Sequence, residues 1–271
     1  GARSLVQAAR AVVDVGAHSP KGPVFASLAG GVGRLPRALA AAGRFTVRTS
    51  TTVRVITRTT QGFELICGPV PDPELVSADA VIIAAPAAKA ALLLRDIAPA
   101  ASNELRPITS ASMAITTLAY RDVVLPPGSG LLIGVTEGFT VKAVTISSQK
   151  WPLTVDPGLT VLRVSVGRAG EAHVLQREDS ELIAIVRHDL RGLLGIEREP
   201  VDSLVTRWGG GLPQYAVGHV ERVARVRAAV AQVPALAVCG AAYDGVGIPA
   251  CISSAQRAAD QVVAALTARG Q

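Results

Sequence analysis

The stretch CGAAYDGVGIPACISSAQRAADQVVAAL, residues 239–266, decides the fold, because it leads from an apolar run through a glycine-rich turn into a helical pattern. The run before it, residues 235–238, is short and apolar, which is typical of a buried strand in a parallel sheet. Gly245 and Gly247 follow, and Pro249 suits a first helical position because the N–H group that proline lacks would have no partner there. The segment therefore predicts a strand, a glycine turn and a helix.

The predicted helix has one apolar face, because its apolar residues recur every three or four positions. They are Ile252, Ala255, Ala259, Val262, Val263 and Leu266. A helix N-terminus presents unpaired N–H groups and a partial positive charge, and glycines ahead of it allow a ligand to approach the backbone. The turn therefore suits an anion or an electron-rich carbonyl. It is neither a P-loop nor a GxGxxG motif, and a tight turn needed only for packing is the alternative.

Composition bounds the class of protein. The 271 residues are 49% hydrophobic and 18% charged, which predicts a folded chain large enough for one large or two ordinary domains. No apolar run approaches the ~20 residues that a membrane-spanning helix needs. The three cysteines and four histidines are scattered, so we expect neither a disulfide framework nor a metal site, and we expect a cytoplasmic location.

The net charge of +6 indicates an anionic partner. Arginines are spread along the chain and aromatic residues make up only 3% of it, which argues against a nucleic-acid surface. A nucleic-acid surface is therefore the weaker choice of anionic partner.

Two patterns of predicted secondary structure follow each other along the chain. Residues 46–67 alternate β-branched and polar residues around Gln61-Gly62, a hairpin pattern, and residues 78–86 predict a buried strand followed by a helix. From about residue 107 several strands follow without intervening helices, which indicates an antiparallel or mixed sheet. A helix is predicted over 180–194 with Ser180 as its N-cap.

The predicted fold class is α/β plus α+β, a partial Rossmann-like layer with an inserted mixed or antiparallel-sheet domain. We place the first segment of the layer at residues 1–100, the inserted domain at residues 101–206 and the C-terminal segment of the layer at residues 207–271. The chain leaves this layer near residue 100 and returns to it near residue 208, so we expect the two segments to contribute strands to one sheet.

Four stretches carry a resemblance to a known family. They are FASLAGGVGRLPRALA (25–40), ADAVIIAAP (78–86), RWGGGLPQYAVGH (207–219) and GAAYDGVGIPACISSAQRAA (240–259). In order and approximate spacing they resemble the FAD-dependent protoporphyrinogen and coproporphyrinogen oxidases, within the amine-oxidase-like flavoproteins. The resemblance covers nearly the whole chain, and Pro-Gln-Tyr…Gly-His with Tyr-Asp-Gly-Val-Gly-Ile-Pro is specific to this family.

The resemblance implies FAD as the cofactor and assigns residues to it by matching position. The turn would lie against the flavin, where its helix N-terminus would stabilise the negative charge of the reduced ring. Val53 would contact the adenosine end through backbone atoms, or it is ordinary strand core. Trp208 would pack near the cofactor, or it fills the junction between modules. The residues that would line the flavin are Gly245, Val246, Gly247 and Ile248.

The sequence departs from the family pattern at one point. Family members begin with a strand–GxGxxG–helix unit that binds the FAD pyrophosphate. Residues 30–33, Gly-Gly-Val-Gly, precede a helix but do not follow a strand. We therefore interpret the sequence as the C-terminal portion of a longer oxidase.

The resemblance also implies the reaction. The family removes six electrons from a porphyrinogen in three two-electron steps, passes hydride to FAD and reoxidises it with molecular oxygen to give hydrogen peroxide. The flavin carries this chemistry, so no catalytic residue is named. Similarity to the actinobacterial branch implies coproporphyrinogen III as substrate, with four propionates. Lys150 is the candidate substrate-binding residue, and Lys142 and Arg163 are further cations of the inserted sheet that could meet propionates. The alternative, which the pattern favours, is that all three are solvent-exposed strand charges.

Several alternatives stay open at this point. Protoporphyrinogen IX, with two propionates, is the other substrate in the family. A related amine oxidase or carotenoid desaturase would need an aromatic cage or a long apolar tunnel, and a flavin-less porphyrin-binding module would need neither. The expected partners are the porphyrinogen, oxygen and a ferrochelatase that receives the product, with at most peripheral membrane contact.

Overall fold

The computed structural model describes residues 26–151, 156 and 158–269. The chain divides into two units, residues 1–45 and residues 46–271, which are described separately. In the first unit helix α1 (Arg34–Ala42) follows the Gly-Gly-Val-Gly stretch, and the Arg34 guanidinium donates a hydrogen bond of 2.8 Å to the carbonyl of Ala29. Residues 1–25 of the predicted first segment lie outside the described residues, and the predicted boundaries of the three segments stay a prediction.

The second unit holds three sheets and six α-helices in its described part. Its first half consists of β1 (Val53–Arg58), β2 (Phe63–Cys67), β3 (Glu74–Ala78), β4 (Val81–Ile83), α2 (Ala87–Leu94), α3 (Pro99–Leu105), β5 (Ser110–Arg121), β6 (Gly130–Leu132) and β7 (Val141–Ile146). Its second half consists of α4 (Ser147–Lys150), β8 (Leu159–Val166), α5 (Asp179–Leu194), β9 (Asp202–Pro213), α6 (His219–Ala231), β10 (Leu236–Val238) and α7 (Ile248–Arg269). Short 3₁₀ turns occupy Val135–Glu137 and Ala172–Gln176.

The predicted hairpin is present as β1 and β2, and β3 extends it into a three-stranded antiparallel sheet. The turn falls where expected, since the N–H of Thr59 donates to the carbonyl of Gly62 at 3.0 Å. Ile56 and Phe63 of this sheet are buried in a hydrophobic core that also contains Leu94 and Leu105. The alternating pattern therefore places one side of the hairpin against α2 and α3.

The parallel pair predicted from the opening segment is also present. β10 pairs with β4 in parallel, with Leu236 opposite Val81 and Val238 opposite Ile83. All three residues of β10 are buried, as a strand of a covered parallel sheet requires. β4 differs from the prediction of full burial, because Ile82 is 40% exposed and lines a surface groove.

The five-stranded sheet has strand order β6-β7-β8-β5-β9 and its pairs are antiparallel, as expected, but the short helix α4 lies between β7 and β8, where no helix was predicted. One face is packed against α5. Leu118 of β5 and Leu162 of β8 lie opposite each other on that face and share a core with Val186 and Leu190 of the helix. Side chains alternate along each strand, so the neighbouring positions point to the other face, which we call the open face.

Two details of the helices differ from the sequence prediction. The N-cap of α5 is Glu178 rather than Ser180, because Glu178 and Glu181 form a reciprocal capping box that satisfies two backbone N–H groups. Helix α7 begins at Ile248, so Pro249 is its second residue, which also has no need of an N–H partner.

The buried face of α7 is rotated from the predicted one. Ser254, Ala258 and Val262 are buried, whereas Ile252 and Val263 are 46% and 61% exposed. Val262 and Leu266 of the predicted face do pack against the core. The apolar spacing missed Ser254 and Ala258, because a polar or small residue gives no hydrophobic signal although it is buried beneath β10. In the part of the chain that the structure describes, no helix is long and apolar enough to cross a membrane.

The two faces of the five-stranded sheet differ in what they contribute to stability. We expect Leu162→Ala to lower the free energy of unfolding by about 2–5 kcal/mol, because the fully buried side chain leaves a cavity. Leu204→Ala on β9 removes a side chain that is 64% exposed and should cost less than about 0.5 kcal/mol. Urea unfolding of both variants measures the difference, and equal losses would contradict the assignment of the faces.

Candidate functional site

The turn between β10 and α7, residues 239–247, takes its shape from two glycines. Gly240 has φ +117° and Gly245 has φ +148°, conformations that side-chain-bearing residues rarely adopt. A Cβ at Gly245 would lie 3.1 Å from the Cβ of Ala250. These glycines are therefore required by the chain itself.

Gly247 is different, because neither its backbone nor its surroundings require glycine. Its φ is not in the left-handed region, and the nearest atom that an added Cβ would meet is the Cδ of Pro249, at an ordinary contact distance of 3.8 Å. The neighbouring side chains of Val246 and Ile248 are 49% and 46% exposed. The turn thus presents an apolar rim around a bare backbone at the point where α7 begins.

The backbone at this rim is suited to a negatively polarised group. The first N–H groups of a helix have no partner within the helix and carry its partial positive charge. Cys251 is the first residue of α7 whose N–H closes a turn, donating to the carbonyl of Gly247 at 3.0 Å. The N–H groups ahead of it are available to a ligand that approaches Gly247.

The carboxylate of Asp244 accepts hydrogen bonds from arginines of two helices and thereby holds the turn in place. It accepts two hydrogen bonds from the Arg227 guanidinium of α6, at 2.9 and 2.5 Å, and a third from Arg257 of α7. Hydrogen bonding from Arg227 lowers the pKa of Asp244 most; burial opposes this shift, and the positive charges of Arg227 and Arg257 add to the lowering. The carboxylate is therefore ionised at neutral pH and holds both arginines.

Further side chains hold the two ends of the turn. The buried hydroxyl of Ser254 in α7 accepts a hydrogen bond of 3.2 Å from the N–H of Gly240. The thiol of Cys251 donates to the carbonyl of Gly245 at 3.7 Å. Tyr215, which follows β9, donates a hydrogen bond from its hydroxyl to the carbonyl of Ala241. The turn is consequently held in one conformation by its own neighbours.

Val53 lies at a groove beside β4, apart from the turn in sequence. It begins β1, packs against the core beneath the hairpin sheet and lines an apolar groove of about 630 Å³ between that sheet and the β4–α2 segment. Both interpretations of Val53 are compatible with this position, since one side packs and the other faces the groove. β4 pairs with β10, so the groove and the turn border the same parallel strand pair.

Trp208 lies on the open face of the five-stranded sheet. It pairs with Met113 of β5 and is 53% exposed, while its neighbour Arg207 points to the helix side and donates to the carbonyl of Leu175 at 3.0 Å. Opposite residues in an antiparallel pair share a face, so Trp208, Met113 and Ile115 form a contiguous apolar strip. The strip is flat and partly accessible.

Arg163 supplies a cation on the same open face. It is exposed and lies between Thr117 of β5 and Thr145 of β7 in register. Its cross-strand partners on this face are therefore two threonines. The open face thus combines an apolar strip with a positive charge.

The other two cations of the sheet are placed differently. The ammonium group of Lys142 donates to the carbonyl of Gly167, and burial lowers its pKa, so Lys142 is not a solvent-exposed strand charge. Lys150 ends α4 and lies 5.5 Å from the centre of the Trp151 ring. The role of Lys150 in substrate binding stays a prediction.

Sequence reasoning missed the ion-pair group at the turn. Asp244 stood within the quoted segment, but its partner Arg227 lies 17 residues earlier on another helix. No local spacing signals such a contact. Arg257 lies 13 residues after Asp244 within the same segment. The sequence did contain one hint of this pair, because Asp244 lies just before the predicted helix and Arg257 lies inside it. Among the described residues no group of three His, Cys, Asp or Glu side chains could hold a metal ion.

Comparison with known proteins assigns the chain to a protein family. Residues 8–263 match the family described as flavin containing amine oxidoreductase. The chain belongs to this flavoprotein family, as the four quoted stretches indicated.

Within the family the similarity is to porphyrinogen oxidases. The chain is 39% identical over 265 residues to the coproporphyrinogen III oxidase of Mycobacterium leprae, covering 97% of this chain and 56% of that protein. It is 26% identical over 263 residues to the chloroplastic protoporphyrinogen oxidase of Nicotiana tabacum, covering 92% of this chain and 48% of that protein.

A solved structure shows the same fold. The crystal structure of a protein described as a protoporphyrinogen oxidase from Exiguobacterium sp. 255-15 superposes with a TM-score of 0.79 at 33% identity, covering 92% of this chain and 54% of that one. The predicted fold class is thereby confirmed. The chain spans about half the length of the curated relatives it matches.

The ion pairs of Asp244 predict an acid-sensitive contribution to stability. We expect Asp244→Asn to lower the free energy of unfolding at pH 7 by about 1–2 kcal/mol, because two arginines lose a charged partner at a partly exposed site. The folded-state pKa of Asp244 is lowered, so this contribution is complete above the ordinary carboxyl pKa of about 4 and is lost as pH falls through that value toward the folded pKa.

Urea unfolding of wild type and variant at several pH values measures this difference. Asp260→Asn is the matched control, because Asp260 is an exposed carboxylate of α7 outside the ion pairs described here. A difference between wild type and Asp244→Asn that does not shrink with acidification would contradict the role of the carboxylate.

Proposed function

We propose that the chain is the flavin-facing and substrate-binding part of an FAD-dependent porphyrinogen oxidase that converts coproporphyrinogen III to coproporphyrin III and releases hydrogen peroxide. The observation that carries the proposal is the turn at Gly247. It joins bare backbone, an apolar rim and a helix N-terminus in a chain whose family is flavin-containing.

The residues present fit a flavin. A planar, partly apolar ring is accommodated where no side chain projects, at Gly247, and where Val246 and Ile248 offer apolar contacts. The N–H groups at the start of α7 suit the ring carbonyl that gains charge on reduction. In this proposal Val53 contacts the adenosine end from the groove. When bound, FAD would supply the two-electron oxidation, with molecular oxygen as the final acceptor.

The chain's own residues would orient the substrate on the open face. Trp208, Met113 and Ile115 offer an apolar strip on which a macrocycle could lie, and Arg163 lies within the same face to meet a carboxylate. A charge-assisted hydrogen bond from an arginine to a carboxylate is the stronger kind of polar contact. Lys150 is proposed as a second cation for the propionates.

Identity to relatives supports the choice of substrate. The relative named a coproporphyrinogen III oxidase is 39% identical to this chain, against 26% for the one named a protoporphyrinogen oxidase. The net charge of +6 agrees with the more anionic of the two substrates. The proposal also includes a cytoplasmic location and delivery of the product to a ferrochelatase.

A substitution at the turn tests the flavin assignment. We expect Gly247→Asp to abolish flavin binding, because the side chain would fill the approach to the backbone and place a carboxylate where negative charge develops on the ring. Flavin content is read from the visible spectrum of the purified protein and oxidase activity from porphyrin fluorescence.

Two control variants accompany this measurement. Gly247→Ala should unfold with wild-type free energy, because a Cβ there meets only an ordinary contact. Gln256→Glu adds a carboxylate at an exposed position of the same helix and should retain flavin. A Gly247→Asp protein with full flavin and normal turnover would show that the turn does not face the cofactor.

The number of propionates provides the test of substrate. We expect a higher kcat/KM for coproporphyrinogen III than for protoporphyrinogen IX under identical salt. Arg163→Gln and Lys150→Gln should each reduce this preference, because a cation matters more to the substrate with more carboxylates. Arg106→Gln, an exposed arginine that follows α3, should leave it unchanged.

The outcomes of this comparison are separable. A tenfold preference for protoporphyrinogen, about 1.4 kcal/mol in transition-state binding, would overturn the substrate and leave the flavin oxidase standing. A purified protein that shows a porphyrin Soret band but neither flavin absorbance nor oxidation would favour the porphyrin-binding module instead.

A further inference from the structure

Tyr215 joins three parts of the second unit through one side chain. It lies two residues beyond the end of β9, and its hydroxyl donates to the carbonyl of Ala241 inside the turn. Its ring stacks on that of His219, the first residue of α6, with ring centroids 4.3 Å apart and 23° between the ring planes. The strand, the helix and the turn therefore meet at this tyrosine.

The turn has a shape that does not depend on Tyr215. Asp244 is held by Arg227 and Arg257, and the N–H of Gly240 is held by Ser254. These contacts come from α6 and α7, which pack against β10. Loss of the tyrosine hydroxyl would leave this local conformation intact and release only the connection to β9.

β9 also carries Trp208, seven residues before Tyr215, on the open face of the sheet. A backbone connection alone leaves the strand end and the turn free to shift relative to each other, because Gln214 to Gly218 form no regular element. The hydrogen bond to Ala241 removes this freedom. Desolvation raises the pKa of Tyr215, so the phenol remains a protonated donor across the neutral range.

We propose that Tyr215 is a positioning residue, whose hydroxyl holds the turn at Gly247 in a fixed placement relative to the substrate-binding face of the sheet. The inference rests on the proposed function, because it concerns the distance between the bound substrate and the flavin. Small changes in such a distance alter the rate of a chemical step more than they alter binding.

The chain offers a matched pair of variants for the test. Tyr215→Phe removes the hydroxyl and keeps the ring that stacks on His219. Tyr243→Phe removes a hydroxyl from the turn itself, and this hydroxyl is buried without a hydrogen-bond partner among the described residues. Both substitutions delete one hydroxyl oxygen near the turn, and only Tyr215→Phe breaks a hydrogen bond.

The first measurement is amide hydrogen exchange of residues 214–218, the connection between β9 and α6 that the tyrosine hydroxyl ties to the turn, in the purified protein. We expect about fivefold faster exchange in Tyr215→Phe, the effect of one lost hydrogen bond, and wild-type rates in Tyr243→Phe. The second measurement is steady-state kinetics of the flavin-loaded protein. Tyr215→Phe should lower kcat about tenfold per bound flavin, with KM within twofold and flavin content unchanged, whereas Tyr243→Phe should match wild type.

Unchanged exchange in Tyr215→Phe would overturn the proposal, whatever the activity. A loss of flavin with normal kcat per bound flavin would also overturn it, because the tyrosine would then serve binding and not placement. Hydrogen exchange requires neither flavin nor substrate. Accelerated exchange in a protein without oxidase activity would therefore support the connection and contradict the proposed function instead.

Discussion

The parallel pairing of β4 with β10 is the contact on which the rest of the second unit depends. It joins residues 81–83 to residues 236–238 across the whole five-stranded sheet that lies between them in sequence. Because β10 is completely buried, its position is fixed by the core beneath the hairpin sheet, α2, α3 and α6. The turn that follows β10 and the groove beside β4 take their places from this one short ladder.

The five-stranded sheet serves two purposes through the alternation of its side chains. The residues that face α5 form a dense core, and those on the open face combine an apolar strip with polar and charged side chains. β9 lies at the edge, and its register with β5 shifts near its end, where Gly210 has φ +59° and its N–H donates to the hydroxyl of Ser112 at 2.9 Å, an irregularity of the kind that bends a strand. An edge strand that bends in this way places an exposed tryptophan and a tyrosine on opposite sides of one bend.

The sequence was most informative where local pattern decides structure. Alternation of β-branched residues located the hairpin, and the short apolar run before Gly240 located the buried parallel strand. Local pattern was least informative where small or polar residues are buried. Ser254 and Ala258 occupy the buried side of α7, and Glu178 caps α5 in place of the serine that cap preferences favour. Contacts between distant residues, such as Arg227 with Asp244, leave no trace in local spacing.

Two cysteines lie at the ends of the turn, and their environment bears on the chemical durability of the site. Burial raises the pKa of the Cys239 thiol, and Cys251 uses its thiol proton to bond the carbonyl of Gly245. The thiolate is the form that peroxide oxidises, so burial holds the Cys239 sulfur in its less reactive state. In the proposed oxidase, which would release hydrogen peroxide beside this backbone, a protonated Cys239 would slow the formation of a sulfenic acid that disturbs the turn.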